Sequence, residues 1–183
     1  GIVAATALAG SAFAQSSLFD RYTVNSKWAQ LTPEAPWGGE TSWVTPDGKG
    51  QVIVMVRKAP WFRVFTTDGK YIRSWGEEGM FKTAHSVYFD NEGAMWGIDN
   101  GDHCIYKFDS NGKIVFTLGK KGVAGDDTSK DLFNRPATMF FAKNGDIFVA
   151  DGYVNSRVVQ FDKTGKFIRI FGGVKGSAPG QMQ

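Results

Sequence analysis

Apolar positions along this chain come in short runs, and the runs are closed by turn-forming residues before they reach helical length. Gln51-Val52-Ile53-Val54, Met95-Trp96-Gly97-Ile98 and Ile147-Phe148-Val149-Ala150 are each preceded by glycine, alone or with one further residue between. Flanking triplets such as Asn91-Glu92-Gly93 and Ser110-Asn111-Gly112 supply the positive φ that a hairpin needs. The runs therefore predict strands. Ile147–Ala150 is apolar on both faces, whereas an antiparallel strand with one wet face alternates, so sheets covered on both sides are expected.

The pattern repeats. Phe65-Thr66-Thr67-Asp68-Gly69-Lys70, Phe108-Asp109-Ser110-Asn111-Gly112-Lys113 and Phe161-Asp162-Lys163-Thr164-Gly165-Lys166 are one motif, with its glycine at intervals of 43 and 53 residues. A second signature precedes each copy: Gly50–Val54, Gly93–Asp99 and Gly145–Asp151. Each period then holds four short strands, which in the middle unit fall at about Ser86–Asp90, Ala94–Asp99, Cys104–Asp109 and Lys113–Leu118. Four-stranded antiparallel sheets stacked face to face around an axis make an all-β β-propeller, with blades expected at about 39–76, 84–119 and 136–172.

Composition narrows the picture. The chain of 183 residues is 42% hydrophobic and 21% charged, with 23 glycines and 15 phenylalanines, which suits a globular protein of many strands and turns. The net charge of +3 is spread out, with no basic run beyond pairs such as Lys120-Lys121, so no nucleic-acid partner is expected. The single cysteine, Cys104, permits no intrachain disulfide and reads as a small buried hydrophobe in a strand. Residues 1–14 are apolar and small, ending in Ala12-Phe13-Ala14. This reads as the remnant of a secretory signal, too short to span a bilayer, with a mature chain from near Gln15 that is exported to a periplasmic or secreted location. No other stretch is long and apolar enough to span.

Gly145–Asp151, Asn155–Phe161 and Gly165–Phe167 follow in order the strand signatures of NHL-repeat propellers. Beyond that repeat, Phe133-Asn134-Arg135-Pro136, Asp151-Gly152-Tyr153-Val154-Asn155-Ser156-Arg157 and Ser177-Ala178-Pro179-Gly180-Gln181 resemble peptidyl-α-hydroxyglycine α-amidating lyase and its bacterial relatives. The resemblance covers roughly residues 39 to 183. It implies a six-bladed ring of which about three blades are present, so the missing blades are needed for closure. The segment at 15–38, through Arg21–Leu31, is expected to supply an outer strand that closes the ring.

Strand parity places candidate chemistry on one face. The start of a blade's innermost strand, the loop after its second strand and the inter-blade loops open on the same side. His85 begins an inner strand, while Arg57 and Tyr153 follow second strands of the first and third blades. Each has an ordinary alternative: a channel histidine, a solvated arginine, a packed tyrosine. Asp99 and Asp151 read as loop-bonding carboxylates, and His103 lies on the same face farther from the axis.

The resemblance gives these residues roles. It implies that His85 is a zinc ligand, Tyr153 the general base, Arg57 a substrate-holding cation, and the Val87 carbonyl a ligand of a structural calcium. Zinc acidifies a coordinated hydroxyl, a phenolate takes the proton, and a hemiaminal C–N bond breaks to give a peptide amide and glyoxylate. A phenol titrating near 10 needs a neighbouring cation to act so. Ala84-His85-Ser86 stands where the family has Pro-His-Gly, and the chain has only two histidines where catalytic zinc takes three protein ligands. The competing reading is a non-catalytic propeller that binds a peptide, glycan or protein. A calcium-dependent sugar-lactone hydrolase fits less well, because its acidic ligands are not evident.

Overall fold

The computed structural model describes residues 23–33 and 35–182; the signal-like stretch at 1–14 lies outside the described residues. Twelve strands follow in order: β1 (Thr41–Pro46), β2 (Gln51–Val56), β3 (Phe62–Thr66), β4 (Tyr71–Trp75), β5 (Ala84–Phe89), β6 (Met95–Asp99), β7 (Cys104–Phe108), β8 (Ile114–Leu118), β9 (Thr138–Phe141), β10 (Ile147–Asp151), β11 (Arg157–Phe161) and β12 (Phe167–Gly172). They form three four-stranded antiparallel meanders, β1–β4, β5–β8 and β9–β12, each in simple sequence order. No helix occurs among the described residues. The chain is thus all-β and has the sheets of three propeller blades.

The doubly apolar strands are explained by blade stacking. Ile53 and Met55 of β2 pack with Val87, Met95 and Phe108 of the second blade, while the alternate residues Val54 and Val56 face the other way. Trp96 and Ile98 of β6 turn toward Val149, Val159 and Phe161 of the third. Successive side chains of a strand point to opposite faces, so a strand inside a middle blade, such as β6 with Met95, Trp96 and Ile98, carries apolar residues on both. The third blade departs from the expectation of cover on both sides: Ile147 and Val149 are buried, whereas Phe148 and Ala150 are only half-buried and Phe140 is 64% exposed.

The recurring glycine closes blade against blade. Gly112 has φ +81, and a β-carbon there would lie 2.7 Å from the Trp75 ring of β4. Gly165 has φ +85 and would meet Phe116 of β8 at 2.3 Å. Both the left-handed backbone and the approach of the preceding blade's aromatic require the residue without a side chain. Gly69 has the same conformation, and its neighbour is Trp28, whose carbonyl oxygen would lie 1.7 Å from a β-carbon. Trp28 also sits 5.4 Å from Phe65, much as Trp75 sits 5.5 Å from Phe108. Residues around Trp28 therefore occupy the place that β4 and β8 take toward the following blades. They do so through one parallel bridge, Gln30 to Lys70, rather than a paired strand.

Gly112→Ala is expected to lower unfolding stability by on the order of 2–5 kcal/mol, left-handed strain and overpacking together. Gly48→Ala, at φ +71 with nothing within 4 Å of a β-carbon, is expected to cost only about 1–2 kcal/mol. Urea unfolding of the two variants checks the difference; equal losses would show that the ring contact contributes nothing.

Candidate functional site

The loop that carries Tyr153 is held by buried polar groups at both ends. Asp151 closes β10 and is fully buried, as are Asn155, Ser156 and Arg157 to within a few per cent. Arg157 donates through Nε and one terminal nitrogen to Asp151 Oδ2 at 3.0 and 2.9 Å, and Asn155 donates to the same oxygen at 2.8 Å. The second Asp151 oxygen accepts the Asn134 N–H at 2.9 Å. Arg157 also reaches the carbonyls of Ser129 and Leu132. One ion pair thus ties the strand, the tyrosine loop and the long segment between the second and third blades. Only the tip of the loop, Gly152 to Val154, is exposed.

Asp99 has the corresponding position at the end of β6 and a different task. Its carboxylate accepts the N–H groups of Lys82, Thr83, Gly101 and Asp102, so it binds the loops before β5 and after β6. Where the third blade has Arg157, the second has Cys104, fully buried, its thiol pushed up to about 11 chiefly by burial. A small apolar residue suffices there because Asp99 already has four donors.

His85 sits at an irregularity. Ala84 pairs with Asp99 and Ser86 with Ile98, so His85 is an extra residue in β5, a bulge at the strand's entry. A bulge re-aims the side chain it carries. The imidazole here meets Tyr153 edge-on, with Nε2 3.0 Å from the phenol oxygen and ring centres 5.4 Å apart. Its Nδ1 lies 3.3 Å from Ser86 Oγ, which itself donates to the Ala137 carbonyl and so links β5 to the third blade. Burial pushes the imidazole below its ordinary 6.5, and the charges of Arg57 and Arg135 push the same way.

Arg57 follows β2, is exposed, and pairs with Glu40 at 3.4 Å. Val87 lies inside β5, paired with Gly97. His103 adopts φ +60 and accepts the Arg135 N–H at Nδ1, 3.0 Å away. Sequence reasoning did not single out Arg135. Its guanidinium lies over the Tyr153 ring at 5.4 Å, yet in the sequence it stands inside the inter-blade stretch Phe133-Asn134-Arg135-Pro136 with no role of its own assigned by the resemblance. Nothing local announces its position.

The residues at this mouth do not by themselves make a zinc site. Among the described residues no three His, Cys, Asp or Glu side chains come together, and at the mouth His85 offers one imidazole, engaged by Tyr153. A three-donor set would need ligands from beyond the described residues. A groove of about 380 Å³, lined by Asp47, Arg73, Glu92 and Ser110 among others, is at the opposite ends of the strands, away from His85 and Tyr153.

Asp151→Ala is expected to destabilise the intact protein by about 3–5 kcal/mol, because it leaves the Arg157 charge buried and uncompensated. The double replacement Asp151→Leu with Arg157→Met is expected to cost less than the single one, as read by urea unfolding.

His85 gives a signed pH dependence. Its folded midpoint is below 6.5, so the unfolded chain binds more protons in that window; stability is complete above 6.5 and is lost as pH falls through the folded midpoint. Imidazole proton shifts of chelator-treated protein should report the midpoint, and Arg57→Gln should raise it while burial still holds it below 6.5. An unchanged midpoint in that variant would remove Arg57 from the site's electrostatics.

No protein-family model matches the chain. It is 41% identical over 106 residues to a Caenorhabditis elegans protein described as a probable peptidyl-alpha-hydroxyglycine alpha-amidating lyase, covering 57% of this chain and 29% of that one. Peptidyl-alpha-hydroxyglycine alpha-amidating lyase 1 of Drosophila melanogaster is 34% identical over 107 residues, covering 57% and 19%. Human NHL repeat-containing protein 3 is 28% identical over 132 residues, covering 67% and 37%. The chain therefore spans less than a third of either lyase. Among solved structures, a virginiamycin B lyase of Staphylococcus aureus superposes with a TM-score of 0.55 at 20% identity, covering 82% of this chain and 45% of that one. A streptogramin B lyase gives 0.57 at 16%, covering 80% and 43%. At such identities the structural likeness speaks for the fold alone. By sequence the chain is related to the peptidyl-α-hydroxyglycine α-amidating lyases and NHL-repeat proteins, and by fold it is a run of three β-propeller blades.

Proposed function

We propose that the intact protein is an exported lyase that cleaves the hemiaminal C–N bond of a peptidyl-α-hydroxyglycine. The observation that carries the reading is the 3.0 Å contact between His85 Nε2 and the Tyr153 oxygen, made across two blades in a chain whose sequence relatives are named amidating lyases. Tyr153 takes the proton of the substrate hydroxyl, and the O–H electron pair becomes the aldehyde C=O of glyoxylate. The C–N pair leaves with nitrogen, which takes a proton back from the phenol to give the peptide amide. Arg57, whose charge already acts on His85, holds the anionic end of the substrate.

His85 is the residue proposed to hold zinc, with further donors from beyond the described residues. A zinc ion there supplies acidification of a bound hydroxyl. Calcium at the Val87 carbonyl is proposed as a structural element of the complete ring. The substrate is a small peptide at the channel mouth, and nucleic acid and membrane insertion form no part of the reading.

The test is release of glyoxylate from an N-acyl-α-hydroxyglycine by the intact protein. Tyr153→Phe should lower the rate about a hundredfold or more while zinc content is unchanged. His85→Ala should lower the zinc content itself. A wild type that binds no zinc and releases no glyoxylate would leave the binding platform as the function of this propeller.

A further inference from the structure

Arg135 has an unusual conformation for its residue type. Its φ is +60, a left-handed backbone that residues with a β-carbon rarely adopt. Such conformations persist where the surroundings fix them, and they cluster where a side chain must be aimed. The fixing groups are visible. The Arg135 N–H donates to His103 Nδ1 at 3.0 Å, and His103 is itself left-handed at φ +60. Arg135 Nε donates at 3.0 Å to Asn100 Oδ1; Asn100 is 2% exposed and anchored in turn on the Pro136 carbonyl at 3.1 Å.

The guanidinium held this way lies over the Tyr153 ring, 5.4 Å from its centre, while the phenol oxygen makes the His85 contact. Nε is used in positioning. Among the described residues the two terminal nitrogens have no protein acceptor, and the residue is exposed. Arg57 is the other guanidinium whose charge reaches His85. The carboxylates nearby are engaged: Asp99 and Asp151 in their own loops, Glu40 at the exposed Arg57 pair. The mouth thus presents two cationic forks and one open planar pair of donors, the geometry that suits a carboxylate.

We propose that Arg135 is a specificity-determining residue that binds the carboxylate of the ligand beside Tyr153, with Arg57 as the second cation of the mouth. This deepens the lyase reading and rests on it for the identity of the substrate: the free carboxylate of the hydroxyglycine unit is the group recognised. A peptide already amidated or esterified at that end lacks it, so product and blocked substrate are discriminated at Arg135.

The experiment uses paired probes on the intact protein. Hippurate and its methyl ester differ only in the charge of the recognised group and do not react, so their binding by calorimetry is independent of turnover. Arg135→Gln is expected to weaken hippurate about tenfold or more and to leave the ester within about twofold. Arg135→Lys, which keeps the charge, is expected to recover part of the loss. With α-hydroxyhippurate the same variant should raise KM far more than it lowers kcat. Failure of the wild type to bind hippurate, or equal weakening of acid and ester, overturns the proposal. Selective loss of hippurate in a protein that releases no glyoxylate keeps the carboxylate site and removes the lyase reading instead.

Discussion

The ion pair between Arg157 and Asp151 is the constraint from which the candidate site follows. Both side chains are fully buried, and such a pair is stable only if its remaining donors and acceptors are met. They are met by Asn155, by the Asn134 N–H and by the Ser129 and Leu132 carbonyls, all drawn from the segments that carry Tyr153 and Arg135. Satisfying one buried guanidinium therefore fixes two loops relative to β10 and β11. The exposed tip at Tyr153 is positioned by polar groups beneath it rather than by packing around it.

The repeating scaffold makes the distinctive residues easy to see. Ser42, His85 and Ala137 occupy the same place at the entry of the three inner strands, by their pairing to β2, β6 and β10. The repeat accepts any of the three, so an imidazole at this place is not demanded by the fold. Its neighbour Tyr153 comes from a loop one residue longer than its counterpart, six positions from Asp151 to Arg157 against five from Asp99 to Cys104. An extra residue in the loop and an extra residue in β5 together bring the two rings into contact.

Stacking of blades supplies the rest. Aromatic side chains of one blade's outer strand lie on the turn glycine of the next, and Trp28 repeats that arrangement at the first blade. The same two-sided demand leaves Phe148, Ala150 and Val158 half-buried on the third blade, on the face away from the second.

Strands, turn glycines, the blade period and the shared face of His85, Arg57 and Tyr153 were determined by the sequence itself, because each depends on local alternation, on φ at a turn, or on counting strands. The loop-bonding roles of Asp99 and Asp151 were legible for the same reason, although the partner of Asp151, Arg157, read only as part of a motif. The tertiary structure decided what depends on residues far apart. The bulge that aims His85 arises from its pairing with β6, the left-handed turn of Arg135 from contacts with His103 and Asn100, and the place of Trp28 from Gly69. None of these has a local signal: each energy is set by a partner more than ten residues away, and sequence periodicity carries no information about such pairings.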